Sequence, residues 1–175
     1  MDASINPLVI RQVISDVDDM FFPIFSISVH YGSMTIYNGC EVKPSISRNP
    51  PVIRITGNAN DLYTLVMTDP DAPTPANPTE RELLHWIVVD IPGGSDPSQG
   101  NEIVPYMDPR PQLGIHGFVF VLFQQTTPLP SVELPTSRFN FNTRAFADKL
   151  GLGLPVAGIY FNARGKVKGP KNKSS

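Results

Sequence analysis

The sequence of 175 residues contains one cysteine, which argues against a protein stabilised by disulfide bonds. Cys40 has no second cysteine with which to form an intramolecular disulfide, which fits a protein of the reducing cytoplasm or nucleus. We expect Cys40 to be a buried or half-buried thiol rather than a nucleophile.

Long apolar runs are also absent. The longest wholly apolar stretch, residues 118–123, is far shorter than the roughly 20 residues that cross a bilayer as a helix, so we expect no membrane insertion. Residues 1–7 have neither a basic start nor an apolar core, so we expect no signal peptide. These features together indicate a location in the cytoplasm and nucleus.

Motifs of the common enzyme classes are missing. The chain has no G-x-S-x-G nucleophile elbow, no Walker loop and no complete G-x-G-x-x-G sequence. We therefore expect no catalytic residues, no cofactor and no metal. Two alternatives stay open: general acid–base chemistry by aspartate and histidine, and a metal site made of two histidines and a carboxylate.

Charge is unevenly distributed along the chain. All 16 acidic residues precede position 164, whereas five of the 14 basic residues follow position 163. The first 163 residues therefore carry −7 (9 minus 16) and the remainder carries +5. We expect one domain over residues 1–163 and a disordered basic tail over residues 164–175. Five spaced charges are too weak a pattern to predict direct nucleic-acid binding.

Apolar patterns predict a mainly β fold. Residues 25–31 alternate apolar and polar side chains, which is typical of a strand with one buried face. Residues 84–91 and 117–124 are almost continuously apolar, as in central strands covered on both faces. Shorter strands are predicted at residues 34–37, 52–56, 62–68 and 155–162.

Helical signals are few. Residues 7–17 are predicted to form a short helix or turn. A clearer helix begins at Asn142 or Thr143, either of which can cap its start, and ends at Leu150 before Gly151. Many short strands with one clear helix predict a single mainly β domain.

Two carboxylates and two imidazoles occur near predicted strand ends. Asp69 and Asp71 follow one strand, while His85 and His116 each stand at the start of an apolar run. Carboxylates suit a cation, and protonated imidazoles can bind an anion. A pocket with both suits a zwitterion, such as a phosphate that carries an amine. Structural roles stay open, because aspartates cap turns and histidines at strand starts are usually satisfied core residues.

The order of several short motifs resembles a known family. The motifs are Thr-Asp-Pro-Asp-Ala-Pro at 68–73, Leu-His-Trp at 84–86, Pro-Arg-Pro at 109–111, Gly-Ile-His at 114–116, Asn-Phe-Asn-Thr-Arg at 140–144 and Gly-Leu-Pro-Val at 153–156. From about residue 5 to residue 163 the chain resembles the phosphatidylethanolamine-binding protein family. Within that family it is similar to the plant florigen and terminal-flower group, and most of all to the branch called Mother-of-FT-and-Terminal-flower.

The resemblance implies a Greek-key β-sandwich with a few short flanking helices, and cis peptide bonds at Ala72–Pro73 and Arg81–Glu82. It also implies an anion pocket with Phe118 at its wall. The pocket residues would be Asp69, Asp71, Pro73, His85, Pro109, Gly114 and His116. The specificity position, Leu83, matches neither the tyrosine of florigens nor the histidine of terminal-flower proteins. Gly117 replaces the usual arginine, so the carboxylates lose a neutralising cation.

For function, the resemblance implies a non-enzymatic regulator that binds a phosphate or phosphoethanolamine-type ligand and acts through protein partners in plant development. Seed germination, dormancy and flowering are the implied processes, and basic leucine-zipper transcription factors are the implied partners. Florigens contact 14-3-3 proteins through arginines that Asn60 and Pro128 replace here, so we expect weak 14-3-3 binding. The alternative is an inhibitor of a kinase or peptidase.

Overall fold

The computed structural model describes residues 25–166. The predicted helix or turn at residues 7–17 and most of the predicted tail lie outside the described residues. The described part contains nine strands, one α-helix and a short 3-10 helix at Pro97–Gln99. In chain order the strands and helix are β1 (Ile27–Tyr31), β2 (Met34–Thr35), β3 (Cys40–Glu41), β4 (Val52–Ile55), β5 (Leu62–Asp69), β6 (Leu83–Pro92), β7 (Asn101–Val104), β8 (Ile115–Gln125), α1 (Thr143–Leu150) and β9 (Ala157–Arg164).

The strands form two sheets. The smaller sheet has the order β2-β1-β4, and the larger has the order β3-β9-β8-β5-β6-β7. Strand β5 lies inside the larger sheet, antiparallel to both β6 and β8. The pairing of Thr68 with Val119 therefore brings the end of β5 to the beginning of β8. Most pairs are antiparallel, and β3 runs parallel to β9.

Both faces of the larger sheet are covered by apolar side chains. Because side chains alternate along a strand, Met67 and Val66 of β5 enter different clusters. Met67 packs in a cluster with Val29 of the smaller sheet, whereas Val66 packs in a cluster with Ala147 of α1. Double coverage explains why the central strands are nearly continuous apolar runs.

The helix is attached to the sheet through its first turn. The side chain of Asn142 accepts a hydrogen bond from the Ala145 amide at 2.8 Å, and Gly151 ends the helix in the left-handed region at φ 68°. The buried Glu82 carboxylate accepts hydrogen bonds from the amide and hydroxyl of Thr143. The start of β6 and the start of α1 are thereby joined. No helix within residues 25–166 is long and apolar enough to cross a membrane.

The structure confirms the mainly β class, the helix from Thr143 to Leu150 and the central strands, with ends that differ by a few residues. Both implied cis peptides are present, at Ala72–Pro73 and Arg81–Glu82. The prediction missed β3, β7 and the 3-10 helix, and it made β2 too long. These elements are short and have weak apolar patterns, so their pairing depends on neighbouring strands. The Greek-key connection stays a prediction.

Two adjacent glycines after β6 differ in what they tolerate. A Cβ at Gly93 would lie 1.9 Å from the Asn58 carbonyl oxygen. A Cβ at Gly94 would meet nothing within 4 Å, but a residue with a side chain would have to keep the positive φ of 77° at that position. We expect Gly94→Ala to cost about 1 kcal/mol from backbone strain and Gly93→Ala to cost about 3 kcal/mol from the clash. Urea unfolding of both variants measures these costs. Equal destabilisation would contradict the close packing at Gly93.

Candidate functional site

The end of β5 and the start of β8 meet at a buried contact between Asp69 and His116. The Nδ1 atom of His116 lies 2.7 Å from Oδ2 of Asp69, and neither side chain is more than 3% exposed. On the other side of the ring, Nε2 lies 2.8 Å from the carbonyl oxygen of Leu113. Both acceptors are satisfied when both ring nitrogens carry hydrogen, which is the imidazolium form.

The surroundings of His116 stabilise this charged form. Burial lowers the pKa of His116, but the hydrogen bond and charge of Asp69, the Leu113 carbonyl and the charge of Asp71 together outweigh burial and raise the pKa above 6.5. His116 and Asp69 therefore form an ion pair near neutral pH.

Asp71 is fixed by the same turn. Its amide donates to Oδ1 of Asp69 at 2.8 Å, and its own Oδ2 accepts from the amide of Gly117 at 2.7 Å. The imidazolium of His116 balances one of the two carboxylates. The cluster of Asp69, Asp71 and His116 therefore carries −1 (+1 minus 2) and attracts cationic groups.

His85 is held in the opposite protonation state. Its Nδ1 donates to the carbonyl oxygen of Met107 at 2.5 Å, and its side chain is almost fully buried. Burial lowers the pKa of His85, and this effect outweighs the Met107 hydrogen bond and the charge of Asp69, which raise it. The neutral ring presents an acceptor lone pair at Nε2.

That Nε2 atom is one of two buried polar side-chain atoms without a hydrogen-bond partner in residues 25–166. The other, Oγ1 of Thr68, belongs to the opposite face of β5 from Asp69, because neighbouring side chains alternate. Buried polar atoms are nearly always paired in folded proteins. An unpaired acceptor beside the Asp69–His116 pair therefore points to a group supplied from outside the chain.

Arg138 fixes the backbone around His85, and sequence reasoning missed it. Its guanidinium donates to the carbonyls of Leu84 at 3.1 Å, His85 at 3.2 Å and Pro105 at 2.8 Å. The Met107 amide also donates to the His85 carbonyl at 2.8 Å. The sequence feature that could have drawn attention to Arg138 is that it is the one charged residue between positions 134 and 143.

The ring of Phe118 packs against both imidazole rings. Its ring meets that of His85 edge-on, with centroids 5.2 Å apart, and lies nearly parallel to that of His116 at 6.2 Å. On another side, it stacks on Phe161 at 5.4 Å. Phe118 is thus in contact with both histidines, and its place at the wall of a ligand pocket stays a prediction.

The remaining predicted residues pair with a residue of this centre or lie close to one in sequence. Leu83 pairs with Asp69 across β5 and β6. Pro73 follows its cis peptide and is half-buried, and Gly114 has a φ of 81° in the turn before β8. Pro109 is buried two residues after Met107. The assignment of all these residues to a ligand pocket stays a prediction.

The structure corrects one part of the sequence interpretation. We expected both imidazoles to bind an anion once protonated, but both nitrogens of His116 already face protein acceptors, and His85 is neutral. The deciding features are the contacts of His116 with Asp69 and the Leu113 carbonyl and the burial of His85, which the sequence does not reveal. The two histidines therefore have different roles.

Two further observations concern the metal and nucleophile alternatives. Within residues 25–166, no group of three histidine, cysteine or acidic side chains is arranged to hold a metal ion. In the same part of the chain, neither His85 nor His116 hydrogen-bonds a hydroxyl or thiol.

Comparisons with known proteins agree with the fold and motifs. The family model for phosphatidylethanolamine-binding protein matches residues 27–161. Protein MOTHER of FT and TFL1 homolog 2 from Oryza sativa subsp. japonica is 53% identical over 162 residues, which cover 91% of this chain and 93% of that protein. Protein FLOWERING LOCUS T from Arabidopsis thaliana is 45% identical over 160 residues, or 91% of each chain.

Among solved structures, a carboxypeptidase Y inhibitor complexed with its cognate proteinase has a TM-score of 0.82 at 25% identity. The similarity covers 94% of this chain and 96% of the inhibitor. The extent of these matches makes the assignment plain: the chain belongs to the phosphatidylethanolamine-binding protein family, within its plant florigen and terminal-flower group.

Proposed function

We propose that the chain is a non-enzymatic regulator in plant developmental signalling that binds a small phosphomonoester with an attached amine at the Asp69–His116 site. The names of its plant relatives, which refer to flowering proteins, support the regulatory part of this proposal. Seed germination, dormancy and flowering are the candidate processes, and the cytoplasm and nucleus are the candidate locations.

The single observation that carries the ligand proposal is the unpaired Nε2 atom of His85. A neutral imidazole nitrogen without hydrogen can only accept, so the ligand must supply a donor. A phosphomonoester has a second pKa of about 6, and its monoanion carries one P–OH group. That hydroxyl donates to Nε2, which removes the unpaired buried acceptor.

The amine accounts for the charge of the site. The cluster of Asp69, Asp71 and His116 carries −1, so it opposes a bare phosphate. In the proposed complex, an ammonium attached to the phosphate lies near the carboxylates. Its attraction to them offsets their repulsion of the phosphate. Gly117 strengthens this preference, because it leaves the site without the arginine that the family usually supplies there.

The same contacts favour a binding protein over an enzyme. Asp69 and Leu113 hold both nitrogens of His116, and Met107 holds Nδ1 of His85. Activation of a hydroxyl or thiol nucleophile requires an imidazole nitrogen in hydrogen-bond contact with it. Basic leucine-zipper transcription factors are the protein partners that we propose for such a regulator.

Phosphoethanolamine should bind more tightly than inorganic phosphate, and its affinity should rise as pH falls from about 8 to about 6 because the P–OH form becomes populated. At still lower pH the gain should end when His85 takes up a proton, since its pKa is lowered. Calorimetric titration across this pH range tests both statements. Ethanolamine O-sulfate is the control, because its sulfate has no comparable proton. Equal affinity for the sulfate and the phosphate would contradict the proposed donor.

Two variants of His85 separate its two nitrogens. His85→Asn keeps a donor near the Met107 carbonyl but removes the Nε2 acceptor, whereas His85→Gln can place an oxygen near the Nε2 position. A hydrogen bond to a charged partner contributes about 1.5–3 kcal/mol, so His85→Asn should weaken phosphoethanolamine binding by about 10- to 100-fold. His85→Gln should lose less, and the control His30→Asn should bind normally. Unchanged affinity in His85→Asn would refute the ligand site.

Asp69→Asn should lower the pKa of His116, which an NMR titration of the ring measures. Because the folded pKa is raised, the pair stabilises the fold fully below pH 6.5, and this contribution disappears as pH rises through the folded pKa. The variant should lose on the order of 3 kcal/mol of unfolding free energy at pH 6 and much less at pH 9. Exposed Asp148→Asn is the control. A native His116 that titrates at or below 6.5 would contradict the ion pair.

Binding to 14-3-3 proteins is proposed to be weak. Asn60 precedes β5 and Pro128 follows β8, and both are exposed at the same end of these paired strands. The double variant Asn60→Arg, Pro128→Arg should gain affinity by orders of magnitude if each arginine adds about 1.5–3 kcal/mol. Surface plasmon resonance against a florigen control measures this gain. Native binding equal to that of the florigen would contradict the proposal.

Inhibition of a peptidase is the second candidate function. It is favoured by the similarity to the carboxypeptidase Y inhibitor, which extends over almost the whole chain. Loss of carboxypeptidase Y activity on stoichiometric addition of the protein would support this candidate, and full activity would argue against it.

A further inference from the structure

A cavity of about 510 Å³ has a basic lining, to which Pro109, one of the residues predicted for the ligand pocket, also contributes. Its charged residues come from three separate segments: Arg48 from the loop before β4, Asp108 and Arg110 from the loop before β8, and Arg164 and Lys166 from the end of β9. Four cations and one carboxylate give this lining a net charge of +3 (4 minus 1). The net charge of this lining is opposite in sign to that of the Asp69–His116 site.

The cations are available to a ligand and partly oriented. Asp108 accepts from Nε of Arg110 at 3.1 Å and lies 3.0 Å from its Nη2, which fixes one edge of the guanidinium. The Arg110 side chain is 78% exposed, so its remaining N–H groups face solvent. Arg164 is half-exposed and lies 3.6 Å from Glu41, a loose contact that a stronger anion can replace.

The backbone beneath the cavity is closely packed, so the charged segments are held together. The amide of Gly165 donates to the Gly114 carbonyl at 2.7 Å, and Leu113 pairs with Lys166. A Cβ at Gly165 would lie 2.7 Å from the carbonyl carbon of Gln112. This contact fixes the end of β9 against the loop that carries Arg110, and it brings basic side chains from both segments to one cavity.

We propose that this basic cavity is a second anion site, separate from the Asp69–His116 site, and that it binds an organic diphosphate. In an organic diphosphate the inner phosphate carries one negative charge and the terminal phosphate carries up to about two near neutral pH, so the group, at up to about −3, matches a lining of +3. Arginine forks bind phosphate oxygens in pairs. The cavity volume lies within the roughly 300–1,000 Å³ of small-molecule sites. Because the lining comes from three segments that meet around one cavity, it suits a small molecule better than an extended membrane surface.

The test is calorimetric titration with inorganic pyrophosphate and with ADP in metal-free buffer. The double variant Arg110→Gln, Lys166→Gln should weaken binding of both probes at least tenfold. The matched control Arg54→Gln, Lys149→Gln also removes two exposed positive charges but lies outside the cavity, and it should change affinity less than twofold. The variant His85→Asn should bind both diphosphates with native affinity, which would show that diphosphate binding does not depend on the Asp69–His116 site.

Chemical shifts of the Gly165 and Lys166 amides locate the bound probe, and thermal unfolding verifies that the variants fold. Shifts at these amides together with the tenfold loss would support the proposal. Absence of diphosphate binding, equal losses in both double variants, or binding only to vesicles that contain phosphatidylserine would each overturn it.

Discussion

The buried ion pair between Asp69 and His116 is the contact on which the arrangement of the site depends. It joins the end of β5 to the start of β8, two strands that antiparallel pairing already brings together. Once Oδ2 of Asp69 holds His116, Oδ1 remains to accept the Asp71 amide, and Asp71 in turn accepts from Gly117. The Asp69–His116 contact therefore determines which polar groups form hydrogen bonds within the protein and which can contact a ligand.

The two histidines show how similar sequence contexts lead to different chemistry. Each stands near the start of a long apolar strand, and each is almost completely buried. His116 lies between a carboxylate and a carbonyl, so the charged form is favoured; His85 has one carbonyl partner and an apolar ring beside it, so burial dominates. Both rings are buried, but only His116 has a carboxylate within hydrogen-bond distance, and that carboxylate outweighs the effect of burial.

Sequence patterns predicted those parts of the molecule in which local and tertiary preferences coincide. The helix from Thr143 has its cap at Asn142 and its stop at Gly151, and the central strands are apolar because both faces are covered. The pairings of β3 and β7 could not be predicted, since neither short segment has a pattern of its own. The protonation states of the histidines depended on tertiary features, the Asp69 carboxylate 47 residues before His116 and the burial of His85. Motif order brought Asp69, Asp71 and His116 together correctly, but it did not reveal Arg138.

The two ends of β5 separate the proposed ligand chemistry from the proposed 14-3-3 contact. Asp69 ends this eight-residue strand, and Asn60 lies just before its first residue. At about 3.3 Å per residue, the two regions are more than 20 Å apart, beyond the range within which exposed charges interact strongly in physiological salt. The strands between them are packed on both faces. A ligand at His85 can therefore influence the 14-3-3 surface only if partner binding itself selects a different strand geometry, because coupling requires an element with two states.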